Sequence, residues 1–428
     1  MSGDAALATP PATGGRPNMR LCVMTGSLCA VFMIGQLYRY ATAVVAPDIA
    51  REMNLAPEVL GALSGTLFFS FAVMQIPVGI LVDRFGTRWT IAGFQVLALA
   101  GPLVVAQAQN ARELILGAAL MGIGAGANLM APLVAYARWF PPARYATLVA
   151  ITIGVGGGLG QVIASAPLAR FAEAYGWRAT YVAIAVLVAV VASIAVALVR
   201  DNPPGIDRRI EGAPETLGGA IRGMREVLTT ANIWRMAGAS ALGATLMFAF
   251  RTMWAGPYLA DIHGLDTVGR GDALLLVTLA MLAGTLLYGP LDRIFDRRKA
   301  IVMTGLSATV AIFALLAILP APPTWLALSL LVVLGAVGTF DVVLLAHERA
   351  LFPHRLAGRG LTTINTFHFS GIASLQVGTG LVVGALAAIA VPADAYRLCF
   401  ALFAGLGVIA LLLYRKVPDR RPSAGFDG

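Results

Sequence analysis

Apolar runs long enough to cross a bilayer alternate with short polar breaks along almost the whole of the 428-residue chain. A helix needs about 20 residues to traverse the hydrocarbon core. Runs of that size fall at 21–46, 59–82, 89–108, 113–137, 146–169, 178–199, 236–259, 271–291, 300–320, 325–348, 361–388 and 395–414. Only helices or closed barrels satisfy their own backbone in lipid, and runs of this length are helical. The polar stretch 200–235, containing DNPPGIDRRIEGAPET, separates six spans from six. The pattern therefore predicts an all-α membrane protein, with twelve transmembrane helices in two pseudo-symmetric six-helix bundles. The bundles cover 21–199 and 236–415, with a central cytoplasmic loop at 200–235 and tails at 1–20 and 416–428.

The first twenty residues, MSGDAALATPPATGGRPNMR, are polar and rich in Pro and Gly, a composition that predicts disorder. Leu21 to Val45 is too long and too free of a cleavage site for a signal peptide, so it is expected to be a retained first span. Basic residues set the orientation. From the N-terminal tail through every second connection to the C-terminal tail, the segments hold 2, 2, 2, 6, 4, 3 and 4 Lys/Arg residues. The opposite side has only Arg51, Arg112, Arg170, Arg178, Arg270 and Arg397. Both termini are expected in the cytoplasm, and the protein in the cell inner membrane. Two cations, Arg39 and Arg251, are left inside spans.

The halves echo one another. Phe140–Pro141 recurs 212 residues on at Phe352–Pro353, and Asp83–Arg84 is echoed 213 residues on at Asp296–Arg297. Arg39 and Arg251 are themselves 212 apart. Parallel halves of this kind predict a transporter with its site between them near the midplane.

Composition sharpens this and excludes rivals. With 58% hydrophobic and 12% charged residues and a mean hydropathy of +0.79, the chain belongs in a bilayer. The pI near 9.9 does not mark a nucleic-acid binder, because the basic residues sit in short clusters without a basic helix or interleaved aromatics. Cys22, Cys29 and Cys399 lie in apolar stretches with no pairing or metal-ligand spacing. The glycines of GVGGGLG, from Gly154 to Gly160, have no preceding strand and no following GK[ST], so no ATP site is read there. They and Gly122, Gly124 and Gly126 fit close helix packing. His347–Glu348 lacks the second histidine of H-E-x-x-H, since Leu351 stands there, and no nucleophile constellation is present. No enzyme activity, metal or cofactor is expected, and the chain reads as a monomer.

A charge at the bilayer centre costs about 2.5–3.5 kcal/mol on insertion scales. One reason for paying that cost is that Arg39 and Arg251 face a water-filled cavity and bind an anionic substrate from opposite sides with bidentate hydrogen bonds. The other is snorkelling, since Arg39 lies only about 9 Å of helix before Val45. Asp341 sits about 12 Å inside Arg349. It reads either as a proton carrier or as a fixed counter-ion to Arg251 or Arg39. His368 is a second candidate for the proton role, against a packing histidine. Gln36, Tyr38, Tyr40, Asn128, Trp254, Tyr258, Asn365 and Gln376 are candidate lining of the cavity, or alternatively helix-to-helix hydrogen bonds and interface aromatics.

After the second span comes GILVDRFGTRW. Gly79 lets helices approach, Asp83 is placed to cap or to pair with basic groups, Gly86 permits a tight turn, and Arg84 and Arg88 hold the cytoplasmic side. The combination G-x-x-x-D-R-x-G-x-R after span two of twelve resembles the signature loop of the major facilitator superfamily. That resemblance, which covers Leu21 to Arg415, implies two six-helix bundles rocking around a central site, with Asp83 and Arg88 in a cytoplasmic gate latch. The second-half counterpart, GPLDRIFDRRK, departs from the pattern, because Asp292–Arg293 and Asp296–Arg297 compete for the equivalent place. YRYATAVVAPDIAREMNL followed by LGALSG resembles the first span of organic-anion carriers, in the anion:cation symporter and organophosphate antiporter branches. This implies Arg39 as a substrate ligand, and Arg251 by analogy with the glycerol-3-phosphate exchanger type. Ala166–Pro167 is similar to the family's antiporter motif but lacks its closing glycine pair.

The expected function is secondary transport of a small organic or phosphorylated anion by alternating access, coupled to protons through Asp341 and His368. Exchange against a counter-anion, export of hydrophobic or cationic compounds, and a non-transporting receptor stay open at this point.

Overall fold

The structure, a computed structural model, describes residues 19–202, 217–230, 232–319, 321–353, 356–387 and 391–419. Among the described residues the regular secondary structure is entirely helical. The first half comprises α1 (Met19–Met53), α2 (Pro57–Gln107), α3 (Ala111–Ala125), α4 (Ala127–Trp139), α5 (Pro142–Ile151), α6 (Gly157–Ile163) and α7 (Ala166–Leu198). After α8 (Leu217–Leu228), the second half comprises α9 (Ile233–Ala239), α10 (Thr245–Ala249), α11 (Ala255–Asp261), α12 (Thr267–Phe295), α13 (Arg298–Ile318), α14 (Thr324–Val337), α15 (Asp341–Leu351), α16 (Ala357–Ala387) and α17 (Pro392–Tyr414).

Ten continuous helical stretches among the described residues are long and apolar enough to cross a membrane. Two of them, Pro57–Gln107 and Ala143–Leu198, are 51 and 56 residues long. At 1.5 Å per residue each spans far more than one bilayer thickness. Each is broken by a glycine in the left-handed region, Gly86 at φ 79° and Gly176 at φ 82°. A side chain is strained there, so glycine lets the chain reverse without a loop. Each long stretch thus accounts for two of the twelve expected spans. With an even number of crossings, the described chain starts and ends on one side of the molecule.

Small residues set the distances between helices. The backbones of Gly101 and Gly117 meet between α2 and α3, and Gly124 abuts the Ala98 backbone. Without a hydrophobic drive between helices in lipid, such close van der Waals contact holds the bundle together. Three π-helical turns, Thr152–Gly156, Ser240–Ala244 and Phe250–Trp254, interrupt the fifth and seventh spans.

The segment 200–235, read from sequence as a polar loop, contains α8. Val227 and Gly223 are buried, Gly223 against the Arg359 side chain, while Arg222, Arg225 and Glu226 are exposed. One face of α8 thus docks on α16 and the other is charged. The expectations for the tail at 1–18, for 203–216 and for 420–428 lie outside the described residues.

The signature loop is clamped by a residue that belongs to no motif. Asp201, just after the sixth span, accepts a hydrogen bond from the Arg88 backbone N–H at 2.9 Å, and Arg88 Nε donates to the Val196 carbonyl at 2.7 Å. The second half repeats the device: Lys299 N–H points at Asp419 Oδ1 (3.4 Å) and Lys299 Nζ donates to the Arg415 carbonyl (2.8 Å). The turn itself fixes the register. Gly289 lies 210 residues after Gly79, and Asp296 lies 210 after Gly86. Asp296 also has positive φ, 48°. Asp296–Arg297 therefore takes the turn, leaving Asp292–Arg293 on the helix beside the position of Asp83; the side chain of Asp292 lies outside the described ones.

A Cβ on Gly86 would stand 2.5 Å from the Asp201 carboxyl carbon as well as facing the left-handed backbone penalty. Gly86→Ala is expected to destabilise the protein by about 1–3 kcal/mol. Gly93→Ala, in the same helix with open space at its Cβ, should not destabilise it. Thermal unfolding of the two purified variants checks this.

Candidate functional site

Arg39 leaves the middle of α1 towards the seam between the halves. Its guanidinium lies 4.2 Å from the Phe71 ring of α2 and 4.9 Å from the Phe369 ring of α16, and these two rings meet edge-on at 4.6 Å. Nη1 donates to Gln36 Oε1 at 3.2 Å, while Nε is buried without a partner. The side chain is therefore held inward between aromatic rings contributed by both halves, and does not snorkel. Such cation–π contacts offset part of the desolvation cost, about 0.5–2 kcal/mol each.

Arg251 sits in the π turn Phe250–Trp254 and is wholly buried, 0% exposed. Its Nη2 donates to Thr278 Oγ1 (2.9 Å), Ser165 Oγ (3.1 Å) and the Leu274 carbonyl (3.2 Å). Ser165 belongs to the first half, so this arginine bridges the seam. Instead of lining an open cavity, as the sequence reading expected, it is sealed in the contact between halves. Its Nε and Nη1 are buried without partners, and its guanidinium carbon is 5.2 Å from the Tyr40 ring. Both guanidinium charges act on Tyr40, which follows Arg39 on α1.

Neither arginine has an acidic partner among the described residues. Among the described residues the ion pairs are Arg51–Asp48, Arg170–Asp272, Arg178–Glu52, Arg270–Asp48 and Arg397–Asp394. Asp341 is thus not a fixed counter-ion to either arginine, and its Oδ1 is buried without a partner at the start of α15.

Several expected lining residues make contacts inside one half, although Asn128 Nδ2 and Gln376 Oε1 are buried without partners. Tyr38 donates to the Ala98 carbonyl at 2.5 Å, and Asn128 Oδ1 accepts from Gln95 Nε2 at 2.9 Å. Trp254 Nε1 donates to Thr379 Oγ1 at 2.7 Å, and Gln376 Nε2 donates to Thr252 Oγ1 at 2.9 Å. Tyr258 is buried in an aromatic cluster with Tyr396 and Phe400, at centroid distances of 5.4 and 5.1 Å. For these five the helix-to-helix alternative describes the side chain as it stands. Asn365 reaches across the seam, where its Nδ2 points at Gln75 Oε1 (3.4 Å). His368 faces Ser240 Oγ at 3.5 Å and stacks edge-on beside Phe369.

The seam is closed on the side away from the termini. Arg270 on α12 donates to Asp48 Oδ2 (2.7 Å) and to the Val44 carbonyl (3.3 Å) of α1, and Arg170 on α7 makes a forked pair with Asp272 at 2.8 and 3.2 Å. Gly61 and Gly65 of α2 lie against Gly380, Val377 and Ala373 of α16. Further towards the termini on the same crossings, Gly79, Gly154, Gly289 and Gly358 face open space. The halves therefore touch on the side away from the termini. The signature residues lie on the side of the termini: Arg84 and Arg88 sit over Phe85 and Trp89, at 5.4 and 5.5 Å. Arg88 is tied within its own half through Val196 and Asp201, as above.

Comparison with known proteins fits this architecture. The family model of the Major Facilitator Superfamily matches residues 28–374. The probable sulfoacetate transporter SauU of Cupriavidus necator is 23% identical over 68% of this chain and 71% of its own. The gentisate transporter of Corynebacterium glutamicum is 26% identical over 79% of this chain and 76% of its own. A crystal structure of a bacterial homologue of the human lysosomal transporter Spinster, inward-facing and occupied, superposes with a TM-score of 0.77 at 18% identity, covering 94% of this chain and 97% of that one. The chain belongs to the Major Facilitator Superfamily and is a multi-pass membrane protein of the secondary-transporter class, not an enzyme.

Proposed function

We propose that this transporter carries a small organic anion, which Arg39 and Arg251 hold at the seam between the halves. The observation that carries the reading is that one wholly buried guanidinium group and one half-buried one, each with an unpartnered N–H donor, lack any acidic partner among the described residues. An uncompensated buried cation is costly, and an anion that enters with its own charge removes the cost only while it is bound. A cationic cargo would add repulsion at the same place. The relatives' substrates by name, sulfoacetate and gentisate, are both anions and support the same reading.

Coupling to protons, through Asp341 and His368, is the mode favoured by a half-buried carboxyl that has one oxygen buried without a partner and pairs with neither arginine. The test is flux in proteoliposomes with labelled gentisate and sulfoacetate as probes. A proton symporter accumulates anion against its gradient when the outside is acidified, and loses that accumulation with a proton ionophore. Insensitivity to the ionophore would assign anion exchange instead. Absence of flux for these and a wider panel of carboxylates, sulfonates and phosphates would sink the anionic reading.

A further inference from the structure

The strongest unexplained feature outside the arginine pair is Glu348. It lies seven residues after Asp341, two helical turns along α15, and is 3% exposed. Its Oε1 has no hydrogen-bond partner, and no Lys or Arg pairs with it among the described residues. A carboxyl so placed is in no ion pair among the described residues and has one oxygen without a donor. An ionised group left in that state is strongly disfavoured, and a proton is the simplest thing that relieves it.

What surrounds Glu348 gives that proton somewhere to go. The Ser240 hydroxyl, in the π turn of the seventh span, interacts with the Glu348 carboxyl and lies 3.5 Å from His368 Nδ1 on α16. The placement is built in. Gly371, one turn along α16 from His368, sits directly against the Ala241 backbone, where a side chain would not fit. Both neighbours are buried or half-buried, so Ser240 is a bridge between two titratable groups that do not touch. His368 in turn feels the charge of Arg39 and packs on Phe369, one of the two rings that hold Arg39.

The other groups facing this region are accounted for. On α15, Asp341 is the acidic neighbour and His347 is engaged by Tyr414 OH (2.5 Å) and the Pro418 carbonyl (3.1 Å). From α12, Tyr288 faces Asp341 and donates to the Val337 carbonyl; from α17, Tyr414 faces Glu348; from α13, Arg298 and Lys299 act on His347.

We infer that Glu348 is an exchangeable proton site of the transport cycle, joined through the Ser240 hydroxyl to His368 and so to the anion site at Arg39. This rests on the anion-carrier reading and adds to it a group and a route. In the step, the neutral Glu348 carboxyl gives its proton to Ser240 Oγ while the Ser240 hydroxyl proton passes to His368 Nδ1, leaving a carboxylate and an imidazolium. An imidazolium at His368 and the Arg39 guanidinium repel one another, and an anion seated on Arg39 offsets that repulsion. Anion binding and proton movement are thereby linked without any direct contact between Glu348 and substrate. α15 runs from Asp341 towards the side of the termini, and Glu348 lies two turns along it.

The test uses the full-length protein in lipid vesicles, first with no anion present. Infrared difference spectra across a pH titration are expected to show protonated-carboxyl C=O bands that disappear as pH rises. Glu348→Gln should remove one component, and Asp341→Asn a different one. Ser240→Ala should shift the midpoint of the Glu348 component without removing it. A Glu348→Gln spectrum superimposable on the parent, or a Ser240→Ala midpoint unchanged, would overturn the inference. The second arm measures flux of labelled gentisate. Glu348→Gln should lose accumulation driven by a pH gradient while counterflow, which needs no net proton movement, persists; retained accumulation would also overturn it. If the parent protein carries no anion at all, the anion-carrier reading falls, and the infrared arm still decides whether Glu348 holds a titrating proton.

Discussion

Arg39→Ala is expected to abolish measurable anion uptake at concentrations where the parent is half-saturated. The guanidinium supplies charge-assisted hydrogen bonds worth about 1.5–3 kcal/mol each, and truncating one partner of a buried charge pair costs about 2–5 kcal/mol. At about 1.4 kcal/mol per decade, affinity should fall roughly 30-fold to several-thousand-fold. Arg39→Lys keeps the charge but loses the planar fork that lies over Phe71 and Phe369, so it should recover only part of the loss. Arg251→Ala leaves Ser165 Oγ and Thr278 Oγ1 3.2 Å apart and able to bond to each other, so the seam need not open when the arginine is removed. Its effect should therefore fall on anion affinity more than on folding. Initial rates of gentisate and sulfoacetate uptake into proteoliposomes, read as half-saturation and maximal rate, decide the matter. Unchanged half-saturation in both Arg39 variants would remove this residue from the site.

How far the sequence reveals this molecule differs from level to level. Span length is written directly in hydropathy, because lipid forces every crossing into a helix, and each of the twelve runs falls mainly on helix among the described residues. The turn at Gly86 is legible because few residues other than glycine accept its backbone. The competing Asp–Arg pairs of the second half are resolved only by geometry: the positive φ at Asp296 shows which pair makes the turn. Facing directions are far less legible. Helices buried in a bundle and in lipid are apolar all round, so no polar stripe says whether Tyr38, Asn128, Trp254 or Tyr258 looks into a cavity or at a neighbour. In the structure each looks at a neighbour. The π turns in the fifth and seventh spans rotate Ser240 and Arg251 relative to an ideal helix, and nothing in SALGA or FRTMW announces them. Glu348 was legible as a residue but not as a site. Next to His347 it resembled half of a zinc motif, whereas its meaning comes from Ser240 and His368, which are distant in sequence. Asp201 and Asp419 were likewise hidden in polar segments, where a clamp and a solvated loop look the same.

Asp48→Asn is expected to shift the protein away from the arrangement in which the side opposite the termini is closed. Arg270 is 1% exposed and reaches Asp48 from the other half, supported by the Val44 and Leu265 carbonyls and Thr267 Oγ1. Removing the carboxylate strands a buried cation, and breaking a buried pair in this way costs about 3–5 kcal/mol. Asp48 keeps 22% of its side chain exposed, so water reaching the pair lowers the figure. When the far side opens, Arg270 is hydrated whether or not Asp48 is present, so the cost falls on the closed arrangement alone. A loss of even about 1.4–3 kcal/mol then moves the equilibrium roughly 10- to 150-fold. Arg170→Ala removes a pair with 56% and 48% of its side chains exposed, which is worth under about 1 kcal/mol, and should hardly move it. The contrast between the two pairs is the diagnostic, because a seam held by packing alone would respond to neither. Spin labels at exposed Arg112 and Ala321, one per half on the closed side, placed in a background lacking Cys22, Cys29 and Cys399, report the separation directly. Asp48→Asn should populate a longer distance, and Asp48→Asn with Arg270→Gln should return part of the population, since the stranded charge is then gone. A distance distribution unchanged by Asp48→Asn would show that the close glycine contacts of α2 with α16 keep that side shut without the ion pair.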